Sequence, residues 1–398
     1  MSAIPPNPST SPASASAIQW PDAAREFQFR QWMSAVQADH GLQPDSLRLA
    51  SADASFRRYF RVDGSRGSLV VMDAPPDKEN SKPFVQIAQL MRAAGLRAPE
   101  VLAWDEAHGF MLLTDLGTKT MMQVIDPQAA PPLDLYLQAV DTLVQWQLAS
   151  KEGVLPPYDH ALLSRELELF PQWYLGEHRK VAVDAAMRKT LDDAFACIIQ
   201  NNLSWPSVYV HRDFMPRNLM VEDEVSAQFS AGPPQGSRSA AEPKLAPSGG
   251  SAAHAVASVG VRQLGVLDFQ DAVYGPITYD IASLMRDAFL SWEEDFCLDI
   301  TIRYWEKARK AGLPVGDDFG EFYRGVEWMG LQRHLKVAGI FARLTLRDGK
   351  PQYLADAPRF IHYLRSTCAR YRELKPLLRL IEKVEGIEVP NVFAFGRS

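Results

Sequence analysis

The chain has 398 residues, 46% hydrophobic and 23% charged, with a formal net charge of −6. That composition is one of a globular protein with material for one or two cores, and its acidic balance excludes a global basic field that would draw nucleic acid. Cys197, Cys297 and Cys368 lie far apart, so no disulfide framework or C-x-x-C metal site follows from them, and no apolar run of about 18 residues is present to span a bilayer.

In chain order, residues 1–20 are mostly Ser, Pro and Ala, without the basic start and apolar centre of a secretory signal. They are expected to be a disordered tail of a cytoplasmic protein. Helical spacing over Ala23–His40 puts Phe27, Phe29, Trp32, Met33 and Val36 on one broad face. Strands are predicted at Leu47–Ser51, Arg58–Val62 and Ser68–Asp73, and again at Val101–Trp104 and Phe110–Leu113. An amphipathic helix over Pro83–Gly95 separates the two groups, with Gly95 as its stop. The loop Ala52–Arg57 is built of small residues but lacks glycine. It is read either as a cover for phosphate groups or as a plain hairpin turn.

From Pro132 onward helices dominate: Leu133–Leu148, Leu163–Tyr174, Val183–Asn201, Tyr323–Leu346 and two closing helices within Ala357–Glu385. Leu163–Tyr174 carries Glu166, Glu168, Phe170 and Trp173, either an acidic and aromatic group facing a ligand or a corner with core aromatics. In Tyr323–Leu346, Arg333 and Lys336 are expected on a solvated face, the alternative being that they bind an acidic group of a ligand, and His334 is expected to be packed or solvated. Residues 226–260 are rich in Ser, Ala, Gly and Pro and bury too little to offset their chain entropy. They read as a disordered insertion between two strands, tolerated because loop-closure entropy grows slowly with length.

The chemistry concentrates in Val208–Val221, V-Y-V-H-R-D-F-M-P-R-N-L-M-V. Two apolar runs flank His211, Asp213 and Asn218, spaced H-x-D-x4-N, and Pro216 prevents a strand through the middle. Phosphoryl transfer asks for a carboxylate that accepts or orients the proton of an attacking hydroxyl. It also asks for oxygen ligands that hold magnesium on the phosphates. Asp213 suits the first task and Asn218 the second. Asp268, at the end of the apolar strand Gly265–Asp268, supplies a second metal ligand. Asp280 precedes an apolar helical run, where an N-cap that orients the loop belongs.

With H-x-D-x4-N, then L-D-F, then Y-G-P-x-x-Y-D-I-A, the chain resembles the aminoglycoside phosphotransferase family of the protein-kinase-like fold. The strings A-S-F-R-R-Y-F-R-V, V-M-D-A-P-P, G-V-L-D-F-Q-D-A-V-Y-G-P-I-T-Y-D and W-M-G-L-Q-R-H-L-K-V-A-G-I-F-A-R-L are similar to those of that family's bacterial cell-wall amino-sugar kinases. The resemblance implies an α+β fold with a small antiparallel β lobe over residues 21–115 and a mostly helical lobe over 116–390, the nucleotide lying between them. It implies ATP and Mg2+ as cofactors, and phosphorylation of the anomeric hydroxyl of N-acetylmuramate or N-acetylglucosamine in peptidoglycan recycling. No nucleic acid, membrane or obligate protein partner is implied.

Residue by residue, Asp213 is the implied base, and Asn218 and Asp268 the implied magnesium ligands. Nucleotide contacts are placed at Ser55, Arg57, Arg58, Leu113 and Asp115. Sugar contacts are placed at Glu168, Trp173, Arg217, Asp271, Tyr274 and Arg286. His211 and Asp280 are assigned structural tasks. Two departures stand out. The family pattern H-G-D reads His211-Arg212-Asp213 here, and Met72 occupies the strand position of the phosphate-binding lysine. Arg57, Arg58, Lys78 or Lys82 replaces that lysine, or the phosphates rely more on magnesium. Alternative readings keep the fold with an aminoglycoside, choline or other small alcohol as acceptor, or make the chain a nucleotide-binding pseudokinase.

Overall fold

The computed structural model describes residues 18–20, 22–52, 56–222 and 263–387. The expected insertion, Ser55 and most of the expected tail lie outside the described residues. The chain divides into two compact units, one of Met1–Gln89 with Pro99–Leu116, the other of Leu90–Ala98 with Gly117–Ser398.

In the first unit, helix α1 (Ala23–His40) is opened by Asp22, whose carboxylate accepts from Arg25 N at 2.7 Å, and closed by Gly41 at φ 59°. Five antiparallel strands follow: β1 (Gln43–Ala52), β2 (Arg58–Gly64), β3 (Gly67–Asp73), β4 (Val101–Asp105) and β5 (Phe110–Thr114). Their spatial order is β1-β2-β3-β5-β4. Phe60 and Val62 point inward from β2 while Arg61 between them points out, the period-2 pattern of a sheet with one covered face. Phe29 and Met33 of α1 pack there with Leu42, Val71, Phe110 and Leu112. Phe27 does not share that face: it is 65% exposed, because it lies two residues, about 200° of helical turn, from Phe29.

Asp73, at the end of β3, is fully buried. It accepts from Arg25 Nε of α1 and from Arg58 Nε of β2, both at 3.1 Å. Arg58 also lies 4.6 Å over the Trp20 ring. One carboxylate thus joins helix, hairpin and N-terminal segment, and its two guanidinium partners offset the cost of burying it. Helix α2 (Lys82–Ala93) crosses the division between the units.

The second unit contains α3 (Met121–Val124), α4 (Leu133–Leu148), α5 (His160–Leu167), a π-helical stretch Phe170–His178 and α6 (Ala185–Leu203). Strands β6 (Ser207–Val210) and β9 (Val273–Pro276) form one antiparallel pair. Strands β7 (Leu219–Met220) and β8 (Gly265–Val266) form another. Helices α7 (Thr278–Met285), α8 (Glu294–Lys310), α9 (Phe319–Leu346), α10 (Ala357–Arg370) and α11 (Lys375–Glu385) complete it. Sequence reading did not anticipate α8. Its buried residues Cys297, Ile300, Thr301, Tyr304 and Ala308 nonetheless follow helical spacing on a narrow stripe. The helix expected over Leu163–Tyr174 is instead α5 followed by the π-helical stretch, with Pro171 at the start of the latter. None of the described helices is long and apolar enough to cross a membrane.

Helix α9, 28 residues long, is the spine of this unit. Glycine lets two neighbours approach it closely. A Cβ at Gly339 would lie 2.4 Å from the Leu169 backbone, and one at Gly325 would lie 2.3 Å from Trp205 Nε1. Main chain cannot swing aside as a side-chain tip can. Gly339→Ala is therefore expected to lower stability by about 1–3 kcal/mol through overpacking, read as a lower urea midpoint with an unchanged slope.

Candidate functional site

The loop 211–218 hangs between β6 and β7 and makes little regular structure of its own. It is held from outside. Asp280, fully buried in the first turn of α7, accepts from the backbone N–H of His211 at 2.7 Å and of Arg212 at 3.0 Å. Asp280 is not the N-cap of its own helix. Strand β9 ends at Pro276, the chain turns at once, and Ile277 takes the cap position. Burial pushes the Asp280 carboxyl up to about 7, against the two N–H donors and Arg333, which favour its anion.

His211 is buried. Its Nδ1 accepts from Asp213 N at 3.2 Å, and its Nε2 donates to the Leu267 carbonyl at 3.0 Å, a pair of bonds that assigns the tautomer. Burial lowers its pKa to about 4, so the ring is neutral at physiological pH. The ring therefore bridges the backbone of Asp213 to the strand end that carries Asp268.

Asn218 closes the loop after the 3-10 turn Pro216–Asn218. Its amide nitrogen donates to the Asp213 carbonyl at 2.9 Å and to Asp268 Oδ2 at 3.3 Å, and its own carbonyl accepts from Leu267 N at 2.9 Å. Gln270 Nε2 donates to Asp268 Oδ1 at 2.9 Å. Asp213, Asn218 and Asp268 thus form one bonded set drawn from two separate stretches of chain. Asn218 approaches Asp268 through its amide nitrogen, and the same amide carries the oxygen that, with the Asp268 carboxylate, could serve a metal. Two hard oxygen donors fit Mg2+, which binds through one or two protein ligands and completes its shell with phosphates and water. Among the described residues, no group of three His, Cys, Asp or Glu gathers to hold a metal without such help.

Three described non-glycine residues have positive φ: Lys180 at 55°, Arg212 at 76° and Asp268 at 62°. Two of them sit in this site. Left-handed backbone costs on the order of 1–3 kcal/mol per residue and persists only where the surroundings overdetermine it.

The surroundings of Arg212 are charged and buried. Its Nη2 donates to Glu166 Oε1 at 2.6 Å. The same Glu166 oxygen takes Lys336 Nζ at 3.0 Å, and Tyr158 donates its hydroxyl to Oε2 at 2.5 Å. Burial alone would raise the Glu166 carboxyl, but Lys336 and Arg212 bring it down to about 2. Arg333 donates to the Arg212 carbonyl and lies 4.8 Å over the Tyr279 ring. Arg333 and Lys336, expected on a solvated face, are 4% and 8% exposed. Their helix is covered on that side by the loop and by α5 and α7, and Glu166 supplies the compensating charge. His334 is packed, its ring stacked 4.5 Å from Tyr363.

The remaining sequence-derived positions scatter. Glu168 turns away from the loop to Arg188, at 2.7 Å, on the edge of a shallow groove with Gln172 and Asp184. Glu166, two residues earlier, is the acid that reaches the loop. Trp173 is half-buried in the π-helical stretch. Arg217 is exposed, with its guanidinium 4.6 Å over the Phe289 ring. Asp271 is exposed, and its carbonyl accepts from Arg212 Nη1 at 3.3 Å. Tyr274 lies in β9, edge-on to Tyr209. Arg286 donates to Glu294 at 2.9 Å and to Tyr323 at 3.0 Å.

In the first unit Leu113 is buried in β5. Asp115 accepts from Arg61 Nε at 2.7 Å and Ser68 Oγ at 2.8 Å. Met72 is fully buried. Each cation offered in place of the missing lysine has an acid beside it: Arg57 with Glu79, Arg58 with Asp73, Lys78 with Asp77 and Lys82 with Glu106.

Residues 46–227 and 256–319, more than half of the chain, match the sequence profile of the phosphotransferase enzyme family. The chain belongs to this phosphotransferase family. A Neisseria meningitidis serogroup B protein named N-acetylmuramate/N-acetylglucosamine kinase is 43% identical over 367 residues, 92% of this chain and 97% of that one. A Pseudomonas aeruginosa protein of the same name is 44% identical over 338 residues, 85% of this chain and 88% of that one. Among solved structures, Plasmodium vivax ethanolamine kinase is similar with a TM-score of 0.54 at 10% identity, covering 92% of this chain and 94% of its own. A Cryptosporidium parvum choline kinase is similar with a TM-score of 0.52 at 11% identity, covering 89% and 99%. These likenesses show the fold: this phosphotransferase is α+β and protein-kinase-like, with its antiparallel sheet and its helices in two lobes.

For the phosphotransferase, Glu166 makes a testable contribution to acid stability. Its folded pKa of about 2 lies below the usual 4.5, so the stabilisation is present above pH 4.5 and is lost as pH falls toward 2. Urea midpoints measured across that window are expected to fall steeply for the wild type and less steeply for Glu166→Gln.

Proposed function

We propose that the protein is an ATP-dependent kinase that phosphorylates the anomeric hydroxyl of N-acetylmuramate, N-acetylglucosamine or both. What carries the reading is the pair of curated relatives above, whose identity spans nearly all of this chain and of theirs. The bonded set of Asp213, Asn218 and Asp268 supports it. In this reading Asp213 orients the C1 hydroxyl and accepts its proton. The sugar oxygen forms a bond to the γ-phosphorus of ATP, the bond from that phosphorus to the bridging oxygen breaks, and ADP leaves. An anomeric hydroxyl is more acidic than an ordinary alcohol, so a carboxylate is an adequate base. Asn218 and Asp268 would hold Mg2+, which supplies neutralisation of the phosphate charge. With Met72 in place of lysine, that neutralisation falls more heavily on the metal. ATP as donor places the reaction in the cytoplasm, where it would serve peptidoglycan recycling.

The test is phosphate transfer from ATP and magnesium to both free sugars, to their methyl glycosides blocked at C1, and to kanamycin. Turnover of the free sugars alone is expected. Transfer to kanamycin alone, or equal transfer to the blocked glycosides, would overturn the assignment. Asp213→Asn is expected to lower kcat by about 10²–10⁴ with an unchanged melting temperature, and retention of full activity would remove Asp213 from its assigned task.

A further inference from the structure

Arg212 sits between His211 and Asp213 with a backbone that glycine adopts freely and arginine does not, at φ 76°. Every polar part of its main chain is held. Its N–H donates to Asp280 at 3.0 Å, and its carbonyl accepts from Arg333. Its guanidinium is held as well, by Glu166 at 2.6 Å and by the Asp271 carbonyl at 3.3 Å. Behind it, Lys336 and Tyr158 fix the Glu166 carboxylate.

Glu166, Arg333 and Lys336 are 5%, 4% and 8% exposed. Burying three charges is costly, and apolar residues of similar volume would pack the same space as well or better. These side chains converge on Arg212, one of the two left-handed residues of the site. From this juxtaposition we infer that Glu166, Lys336 and Arg333 form a clamp that holds Arg212 left-handed and so aims the adjoining Asp213. They are positioning residues: they act through Arg212. The inference rests on Asp213 being the group that receives the acceptor's proton.

Arg212→Ala and Arg212→Gly decide it. Both remove the guanidinium and its bond to Glu166, and only alanine keeps the Cβ that resists positive φ. If the clamp sets the backbone, R212A lowers kcat on the order of tenfold, with KM for ATP and sugar little changed, and R212G returns kcat to within about threefold of wild type. Equal kcat for the two variants, whether both low or both high, would overturn the clamp. Glu166→Gln is expected to lower kcat when Arg212 is present and to add little in the R212G background, and equal losses in both backgrounds would also overturn it. If E166Q does not fold, the R212A and R212G pair still decides.

The comparison is run on sugar phosphorylation and on slow ATP hydrolysis without sugar. Absence of transfer to either sugar by the wild type would be a failure of the substrate assignment. The hydrolysis rates would then still rank alanine below glycine if the clamp operates.

Discussion

One buried carboxylate carries the loop that bears the proposed base, Asp213. Asp280 receives two consecutive main-chain N–H groups, those of His211 and Arg212. The loop has a single turn of 3-10 helix and otherwise no ladder of its own. Without such an acceptor those two N–H groups would be buried and unmet, at a cost of about 1–3 kcal/mol each. The same residue is therefore both a solution to a backbone hydrogen-bonding problem and the device that sets where Asp213 begins. Burial works against it by favouring the protonated acid, and the two N–H donors with Arg333 work for the anion.

The rest of the site follows from joining that loop to a second strand end. His211 reaches the Leu267 carbonyl, Leu267 reaches back to Asn218, and Asn218 touches both acids. The Leu267–Asn218 bond joins main chain to main chain, and the His211 ring and the Asn218 amide add side-chain ties between the two stretches, so Asp213 and Asp268 are related through two short side chains and one backbone bond. Left-handed backbone at Arg212 and Asp268 is the strain this closure requires. It is tolerated because each neighbour of those residues is already bonded.

The small sheet unit uses charge differently. Asp73 gathers Arg25 and Arg58 at the end of β3, next to Met72, where a kinase strand would offer a lysine. Arg57, Lys78 and Lys82 each have an acid beside them. Charge in this unit thus holds helix, hairpin and N-terminal segment together. In the reading proposed above, phosphate neutralisation is left to the Mg2+ that Asn218 and Asp268 would hold.

Sequence by itself determined what neighbours along the chain determine. Alternation of Phe60 and Val62 with charged residues, helical spacing from Leu133 to Leu148, and Pro216 inside H-x-D-x4-N were sufficient to place strands of the sheet, several of the helices and the loop bearing Asp213 and Asn218. They also placed Asp268 at a strand end. Sequence periodicity was less informative where burial came from contacts far along the chain. Arg333 and Lys336 look like a polar helix face until Glu166 and Arg212 are packed against them. Glu168 looks as good an acid as Glu166 until the fold turns it to Arg188. Arg286 could by sequence face a ligand or form an ion pair, and the fold pairs it with Glu294 and Tyr323. Positive φ at Arg212 is not a conformation that arginine asks for, and only the glycine of the family pattern H-G-D hints at it; at Asp268 the residue type tolerates it without requiring it. Only the tertiary structure decided these points: a buried charge or a left-handed residue is stable through partners that the fold brings from elsewhere, and no local pattern encodes them.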